Sequence, residues 1–188
     1  LLFWNLFAKS VSSCSESLLA NQHLVKKVAF PRIFLPVSTV FVNLIDFTFA
    51  ALVLVGLMIY YRYAPHYIGL PTFPIFALIT VLFAIGIGLP LAILNVYFRD
   101  VRFMIPYALQ LLLFLTPVLY SAEFFARWPL LLYFNPLSGI IVSGRALILG
   151  QEPFLVHYFW FSLLTTVFIL ITGAFFFRSR EKQIADLL

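Results

Sequence analysis

Long apolar runs alternate along the chain with short charged or proline-containing segments, and this pattern predicts membrane-spanning helices. A helix needs about 20 apolar residues to cross a bilayer. Runs at 33–61, 73–98 and 154–177 have that length, and we predict that the shorter run at 103–120 also spans. The predicted fold class is therefore an all-α, polytopic membrane protein, with residues 1–188 forming a single transmembrane domain.

The sharpest break between apolar runs is a charged turn that contains Arg99, Asp100 and Arg102. Inside hydrocarbon each charged residue costs about 2.5–3.5 kcal/mol, so this turn is expected at a membrane surface. A segment this short can only be a tight connection between two spans. Asp100 is expected to cap a short interfacial turn, after which Pro106 restarts the helix.

The first 32 residues are less regular. Residues 1–8 are apolar but too short to span, and they are typical of the end of a helix whose beginning is absent. The serine-rich stretch 9–16 predicts that this helix leaves the membrane there or faces a crowded interior. Residues 17–32 mix polar and apolar positions up to Pro31, which fits a short helix lying along a membrane surface or an ordinary charged loop.

Residues 121–153 are apolar in part but are broken by Asn135-Pro136, Gly139 and Gly144, and they include Arg145. Irregular backbone survives at membrane depth only against protein or water. We therefore predict two short re-entrant helices that enter from one side and return to it.

The basic residues support this topology. If 121–153 does not cross, one face holds eight basic residues and the other holds three, Arg62, Arg127 and Arg145. Cytoplasmic loops carry the excess of lysine and arginine, so the richer face and the charged tail 178–188 are expected inside the cell. The eight are Lys26, Lys27, Arg32, Arg99, Arg102, Arg178, Arg180 and Lys182.

Composition agrees with a membrane protein and excludes most soluble classes. The chain is 63% hydrophobic and 10% charged, whereas a soluble domain has about 25% charged residues. The net charge of +5 lies in clusters between apolar runs rather than on one amphipathic face, so it favours orientation in a bilayer over nucleic-acid binding. A single cysteine, Cys14, provides neither an internal disulfide nor a thiolate metal site.

Catalytic motifs are nearly absent from the sequence. His23, His66 and His157 fall in three different predicted regions, so they indicate no shared metal or acid–base site. No G-x-x-x-x-G-K-[ST] motif is present, and the chain is not expected to hydrolyse a nucleotide or to hold a cofactor itself.

One polar stripe runs along the span 33–61, where Asn43 and Asp46 share a helical face with Thr39 and Ala50. Asp46 lies about 15 Å from the start of the span, near the midplane, and should face protein or water. Two interpretations are open: Asp46 bonds a neighbouring helix and holds the fold, or it lies in a transport path. Tyrosines and tryptophans at the outer ends of the spans form an anchoring belt or stack on sugars.

Several stretches closely resemble the permeases of type-two ABC exporters that move polysaccharides. They are LNVYFRDVRFMIPYALQLLLFLTPVLY, FNPLSGIIVSGRALILG, LLANQHLVKKVAFPRIFLPVSTVFVNLIDF and FFFRSREKQIADLL. Members of that family have six spans after an amphipathic helix. This sequence lacks that helix, the first span and part of the second.

The resemblance implies a homodimer of permeases in the bacterial cytoplasmic membrane, with a cytoplasmic C-terminus, that exports a lipid-linked glycan. Each permease would dock an ATP-binding subunit, which binds ATP and Mg. Residues 17–32 resemble the helix that couples to this subunit, the charged turn would contact it or the substrate pyrophosphate or form structural ion pairs, and 121–153 would gate the exit. The coupling residues are Leu24, Lys26, Lys27, Phe30, Pro31 and Arg32, and the gate residues are Asn135, Pro136 and Arg145.

Two other functions remain as alternatives. An ion-coupled carrier would use Asp46 to bind its coupling ion. A membrane-embedded enzyme of lipid or glycan metabolism would need His, Asp or Glu residues clustered at one depth, and the sequence offers isolated ones.

Overall fold

The computed structural model describes residues 1–27, 30–63, 69–120, 135–149 and 156–187. These residues contain seven α-helices and no strand. Three of them, over Phe34–Tyr60, Pro71–Tyr97 and Val156–Glu181, are long and apolar enough to cross a membrane. The predicted all-α, polytopic membrane class is therefore confirmed. The helices are α1 (Leu2–Ala20), α2 (Gln22–Lys27), α3 (Phe34–Tyr60), α4 (Gly69–Tyr97), α5 (Val101–Leu115), α6 (Pro136–Leu149) and α7 (Val156–Leu187).

The three long helices lie on the apolar runs that predicted them. α3 begins and ends within one residue of its run, whereas α4 begins four residues earlier than predicted, at Gly69. Proline is tolerated in a first helical turn, so Pro71 does not delay the start of α4. α7 does not stop at the charged tail, because residues 178–187 contain neither glycine nor proline and continue the helix.

α1 is one continuous helix of 19 residues, so it does not end within the serine-rich stretch 9–16. The serine hydroxyls bond carbonyls of the preceding turn, as Ser15 does to Ser12 and Ser17 does to Cys14, both at 2.7 Å. A serine that bonds within the helix in this way does not interrupt it. Ser10 and Ser15 are buried, whereas Lys9 and Glu16 are exposed, so one side of this stretch faces the protein interior and the other does not.

The run at 103–120 folds as a shorter helix than predicted. α5 has 15 residues and is about 22 Å long, which is less than the roughly 30 Å of a hydrocarbon core. The chain leaves the helix at Thr116, whose backbone is extended, and Pro117 follows. Asp100 occupies the N-cap position, but its side chain makes no capping hydrogen bond, so that part of the prediction is wrong. Of the predicted re-entrant region, 121–134 and 150–153 lie outside the described residues.

α4 is the centre of the bundle, and α1 packs along one side of it. A row of small residues, Ala84, Gly88 and Ala92, lies on this side of α4 and is buried. A Cβ atom added at Gly88 would lie 2.5 Å from the Cys14 sulfur of α1. Small residues on one helical face permit such a close approach of two helices.

α7 packs on another side of α4 and also holds α6. A Cβ atom at Gly173 of α7 would overlap the carbonyl oxygen of Gly86 of α4, so the two backbones are in direct contact. Nearer the start of α7, Ser162 donates a hydrogen bond to the carbonyl of Pro136 at 2.7 Å, and a Cβ atom at Gly139 would overlap the Ser162 hydroxyl. α7 therefore contacts α4 at mid-length and α6 near its start.

Aromatic rings fill the space where α1, α4 and α7 begin. Phe3 of α1 lies 5.1 Å from Phe73 of α4 and 5.7 Å from Phe47 of α3, measured between ring centroids. Phe76 of α4 contacts Phe159 of α7 edge-on at 5.7 Å. Such aromatic pairs contribute about 0.5–1.5 kcal/mol each beyond their area burial, so they join four helices at this end.

Candidate functional site

The exposed surface of the bundle has two chemistries. The exposed side chains of α3 and α7 are mainly apolar, as are those of α5. Leu52, Val53 and Phe168 are each more than three-fifths exposed. In a chain with membrane-length helices, such surfaces are the ones that lipid can cover.

The exposed side of α1 is polar by contrast. Asn5, Lys9 and Glu16 are exposed there, and Ser12 and Ser13 are partly exposed. We call these five residues the α1 polar stripe. They follow helical spacing over most of a helix that is about 28 Å long. Polar side chains at membrane depth face protein or water, because lipid provides no hydrogen-bond partner.

The α1 polar stripe continues onto α3 through two contacts. The ammonium of Lys9 lies 3.5 Å from a carboxylate oxygen of Asp46, and both side chains are more than half exposed, by 62% and 58%. The amide of Asn43 donates to the hydroxyl of Ser13 at 2.6 Å. Lys9, Asn43 and Asp46 line a small cavity of about 100 Å³ between the two helices, together with Asn5 and Ala50.

These contacts bear on the two interpretations of Asp46. Its carboxylate does contact a neighbouring helix, as the first interpretation requires, and its partner is Lys9. Sequence reasoning left Lys9 without a role. The spacing of Asn5, Lys9, Ser12 and Glu16 was the signal that could have predicted a polar face on α1. Because the pair is exposed, a place in a transport path stays a prediction.

The short helix α2 precedes the start of α3. It follows α1 after a turn at Asn21. Val25 is buried with 3% of its surface exposed, whereas His23 and Leu24 are exposed. Among the described side chains of α2, Val25 is thus held by the bundle, and Gln22, His23 and Leu24 face outward. Of the predicted coupling residues, Lys26 and Lys27 end α2, but their side chains lie outside the described residues.

The remaining predicted coupling residues form the corner between α2 and α3. Phe30 is partly buried and Pro31 is exposed. The backbone N–H of Arg32 donates to a carboxylate oxygen of Glu181 in α7 at 2.7 Å, and its guanidinium donates to the Glu181 carbonyl. Sequence reasoning missed Glu181, which is 149 positions away and carries no local signal.

The charged turn between α4 and α5 is fully accessible. Arg99, Asp100 and Arg102 are all exposed. The Arg102 guanidinium lies 4.7 Å from the centre of the Phe103 ring, which is a cation–π distance. Within the described residues no ion pair forms at this turn, so the structure offers no support for a structural ion-pair role.

At the other end of the bundle, Asn135 joins the start of α6 to the end of α5. Its amide donates to the Thr116 hydroxyl at 2.7 Å, and its carbonyl oxygen accepts from the backbone N–H of Leu137 at 3.1 Å. The second bond is an N-cap, and Pro136 occupies the first helical position. The asparagine–proline pair therefore starts α6 and fastens it to α5 at the same time.

Arg145 makes a second connection between the same two elements. Its guanidinium donates to the carbonyl oxygens of Pro117, Val118 and Tyr120, at 3.0, 3.2 and 3.2 Å. These residues follow the end of α5, so the guanidinium pairs backbone acceptors that lie outside the helix. Asn135 and Arg145 thus bind the segment 116–120, which we call the α5 exit segment.

The described residues contain no group of three His, Cys, Asp or Glu side chains close enough to hold a metal ion. His23 and His157 are exposed on α2 and α7, and His66 lies outside the described residues. The chemistry that these residues offer is hydrogen bonding and charge, at the corner between α2 and α3, along the α1 polar stripe and at the α5 exit segment.

Comparison with known proteins identifies relatives that share one name. No family model matches the chain. It is 30% identical to an O-antigen export system permease protein RfbA of Klebsiella pneumoniae, over 98% of this chain and 71% of that protein. A second Klebsiella pneumoniae protein of that name is 27% identical over the same shares. One from Myxococcus xanthus is 30% identical over 99% of this chain and 72% of that protein.

Proposed function

The chain belongs to the family of O-antigen export system permeases, and from that premise we propose that it is the membrane subunit of an ATP-driven polysaccharide exporter. Its substrate would be a lipid-linked, O-antigen-like polysaccharide that crosses the bacterial cytoplasmic membrane. The observation that carries this proposal is the similarity to these permeases along nearly the whole chain. Three apolar helices of membrane length support it.

A complementation experiment tests this function. The full-length protein is expressed in a strain that lacks its own O-antigen export permease but synthesises a compatible glycan and the matching ATP-binding subunit. We expect polysaccharide to return to the cell surface, detected by antibody on intact cells. Glycan that accumulates inside while the protein is present in the membrane would contradict the proposal.

The energy source would be a separate ATP-binding subunit that docks at the inner corner. α2 supports this role because Leu24 and His23 are exposed while Val25 anchors the helix. An exposed apolar side chain beside basic residues is suited to the groove of a partner protein. Lys26 and Lys27 at the end of α2, together with the corner at Phe30, Pro31 and Arg32, would complete the contact. ATP and Mg would bind only to that subunit.

The charged turn between α4 and α5 would lie on the same inner face. Arg99 and Arg102 are exposed and are suited to bind either the ATP-binding subunit or the pyrophosphate that joins glycan to lipid. Asp100 keeps the net charge of the turn small. With Lys26, Lys27 and the arginines of α7, this surface carries the excess positive charge expected of a cytoplasmic face.

The α1 polar stripe would face a water-filled path for the glycan. Hydroxyl-rich sugars need side chains that both donate and accept hydrogen bonds, and Asn5, Lys9, Ser12 and Glu16 supply both kinds. The exposed Lys9–Asp46 pair supports this placement, since water is the surroundings in which such a pair costs least. A lateral opening would let the lipid tail stay in the bilayer while the sugars follow the path.

The outer end would hold the exit gate. Asn135 and Arg145 connect α6 to the α5 exit segment through hydrogen bonds that can break and reform. While these bonds are made, a rearrangement of α5 would move α6 with it. Pro136 fixes where α6 begins.

Two copies of the permease would form the complete pathway, with one ATP-binding subunit on each. An ion-coupled carrier and a membrane-embedded enzyme are the alternatives, and neither is favoured. The relatives are permeases of an export system, and Asp46, the residue that a carrier would use, is paired with Lys9.

A further inference from the structure

The inner end of α7 is attached to the corner between α2 and α3. α7 has 32 residues and is about 48 Å long, so it extends beyond the hydrocarbon core. The attachment consists of the two hydrogen bonds between Arg32 and Glu181, which we call the inner latch. Both residues are partly buried, so these bonds are shielded in part from water.

The inner latch lies one residue before the N-cap of α3. α3 begins at Phe34, and its own N-cap residue, Ile33, provides no side-chain hydrogen bond. The carboxylate of Glu181 accepts from the Arg32 N–H just before this helix start. An anion is stabilised near a helix N-terminus, where N–H groups lack partners and the dipole is positive. The Arg32 guanidinium closes the latch on the Glu181 carbonyl.

α7 also connects this corner to the outer end of the bundle. Glu181 at the inner end and Ser162 near the start are 19 positions apart, about 28 Å along one unbroken helix. Ser162 bonds the Pro136 carbonyl of α6, and Gly173 between them touches the backbone of α4. Because α7 is one rigid helix that contacts the α2–α3 corner, α4 and α6, a displacement of its inner end is passed to α6.

We propose that Glu181 is a positioning residue that makes α7 move with the α2–α3 corner, so that a push on α2 reaches the outer helix α6. This inference rests on the proposed function, because it assigns α2 as the place where force enters. Without the inner latch, α2 and α3 still respond to the ATP-binding subunit, but α7 and α6 do not follow. ATP hydrolysis then continues while fewer polysaccharide chains leave.

The test compares Glu181→Ala with Glu181→Gln in the assembled complex of full-length permease and ATP-binding subunit. The amide oxygen of glutamine can still accept from the Arg32 N–H, whereas alanine cannot. We expect ATP hydrolysis within about twofold of wild type in both, and export per ATP reduced roughly tenfold in Glu181→Ala only, as for the loss of a hydrogen bond to a charged group. Arg178→Ala, exposed three residues earlier on α7, is the matched control and should leave the ratio unchanged.

A second readout separates a positioning role from a loss of folding. A cysteine at His157, exposed at the outer end of α7, is labelled with a membrane-impermeant thiol reagent with and without ATP, in a background in which the buried Cys14 is serine. We expect the labelling rate to respond to ATP in wild type and in Glu181→Gln, and not in Glu181→Ala. Arg32→Ala, which keeps the Arg32 N–H bond to the carboxylate, should lie between them.

Export per ATP that stays at the wild-type value in Glu181→Ala would overturn the inference, as would an equal loss in Glu181→Gln and Glu181→Ala. If Glu181→Ala fails to fold, Arg32→Ala decides: unchanged export per ATP and unchanged labelling would overturn the inference. A wild-type complex that shows no ATP-dependent export contradicts the proposed function instead. In that case a comparison of Glu181→Ala with Glu181→Gln, on unfolding of the permease alone, still tests whether the bond from the Arg32 N–H forms, since only glutamine can accept it.

Discussion

Replacing Asp46 with asparagine tests where the polar stripe of α1 faces. In the structure the carboxylate lies 3.5 Å from the Lys9 ammonium, and both side chains are more than half exposed on the chain. Asparagine has nearly the same shape and still accepts a hydrogen bond, but it removes the negative charge. The substitution therefore leaves Lys9 without its counter-charge while changing little else.

The expected cost in stability depends on the surroundings of the pair. In water, an exposed ion pair contributes about 0–1 kcal/mol. In hydrocarbon, a lone charge near the membrane centre costs about 2.5–3.5 kcal/mol. Because we propose that the stripe faces a water-filled path, Asp46→Asn should lower the free energy of unfolding by less than about 1 kcal/mol. Leu52→Asp, on the exposed apolar side of the same helix, should lower it by about 2.5–3.5 kcal/mol.

Asp46→Asn should affect export more strongly than it affects stability. A hydrogen bond to a charged group contributes about 1.5–3 kcal/mol, so loss of a carboxylate that binds sugar hydroxyls should reduce export roughly tenfold or more. The assays are reversible unfolding of the full-length permease in mixed micelles and export by the assembled complex. Asp46→Asn that unfolds about 2.5 kcal/mol more easily, or that exports at the wild-type rate, would refute the placement of the stripe.

Three further predictions follow from the close contacts and charges of the bundle. Gly173→Ala should destabilise the permease by about 1–3 kcal/mol, because its Cβ atom would overlap the Gly86 carbonyl, while Gly56→Ala, which meets nothing within 4 Å, should be neutral or stabilising in the same unfolding assay. Arg145→Met removes three hydrogen bonds from the α5 exit segment; it should speed thiol labelling of a cysteine at Leu119, and an unchanged rate would count against the gate. Reversing the charges of Lys26 and Lys27 to glutamate should lower transport-coupled ATP hydrolysis with membrane insertion intact, and unchanged coupling would contradict a docking role for α2.

The sequence pattern predicted the long helices because their signal is local. α3, α4 and α7 each coincide with an unbroken apolar run, and a run of about 20 such residues has few other ways to satisfy its backbone in a membrane. The small-residue row around Gly88 was also predictable, since helical spacing places its members on one face. Its partner, Cys14 on α1, was not, because which helices pack together depends on the whole chain.

Other features depended on contacts between distant parts of the sequence. Serines suggest the end of a helix by composition, but in α1 the hydroxyls of Ser13, Ser15 and Ser17 bond carbonyls within the helix, which continues past them. The partners of Asp46 and Arg32 lie 37 and 149 positions away, and no periodicity connects them. Asn135 and Arg145 were singled out by their residue types, whereas their common target, the α5 exit segment, appears only in the folded chain.

Reconstitution tests the main proposal most directly. Full-length permease is placed in vesicles with lipid-linked polysaccharide, with or without the ATP-binding subunit, and polysaccharide that crosses the bilayer is measured. We predict crossing only when both proteins and ATP are present on the side where α2 is exposed. Polysaccharide that crosses with the permease alone, driven by an ion gradient, would contradict the account.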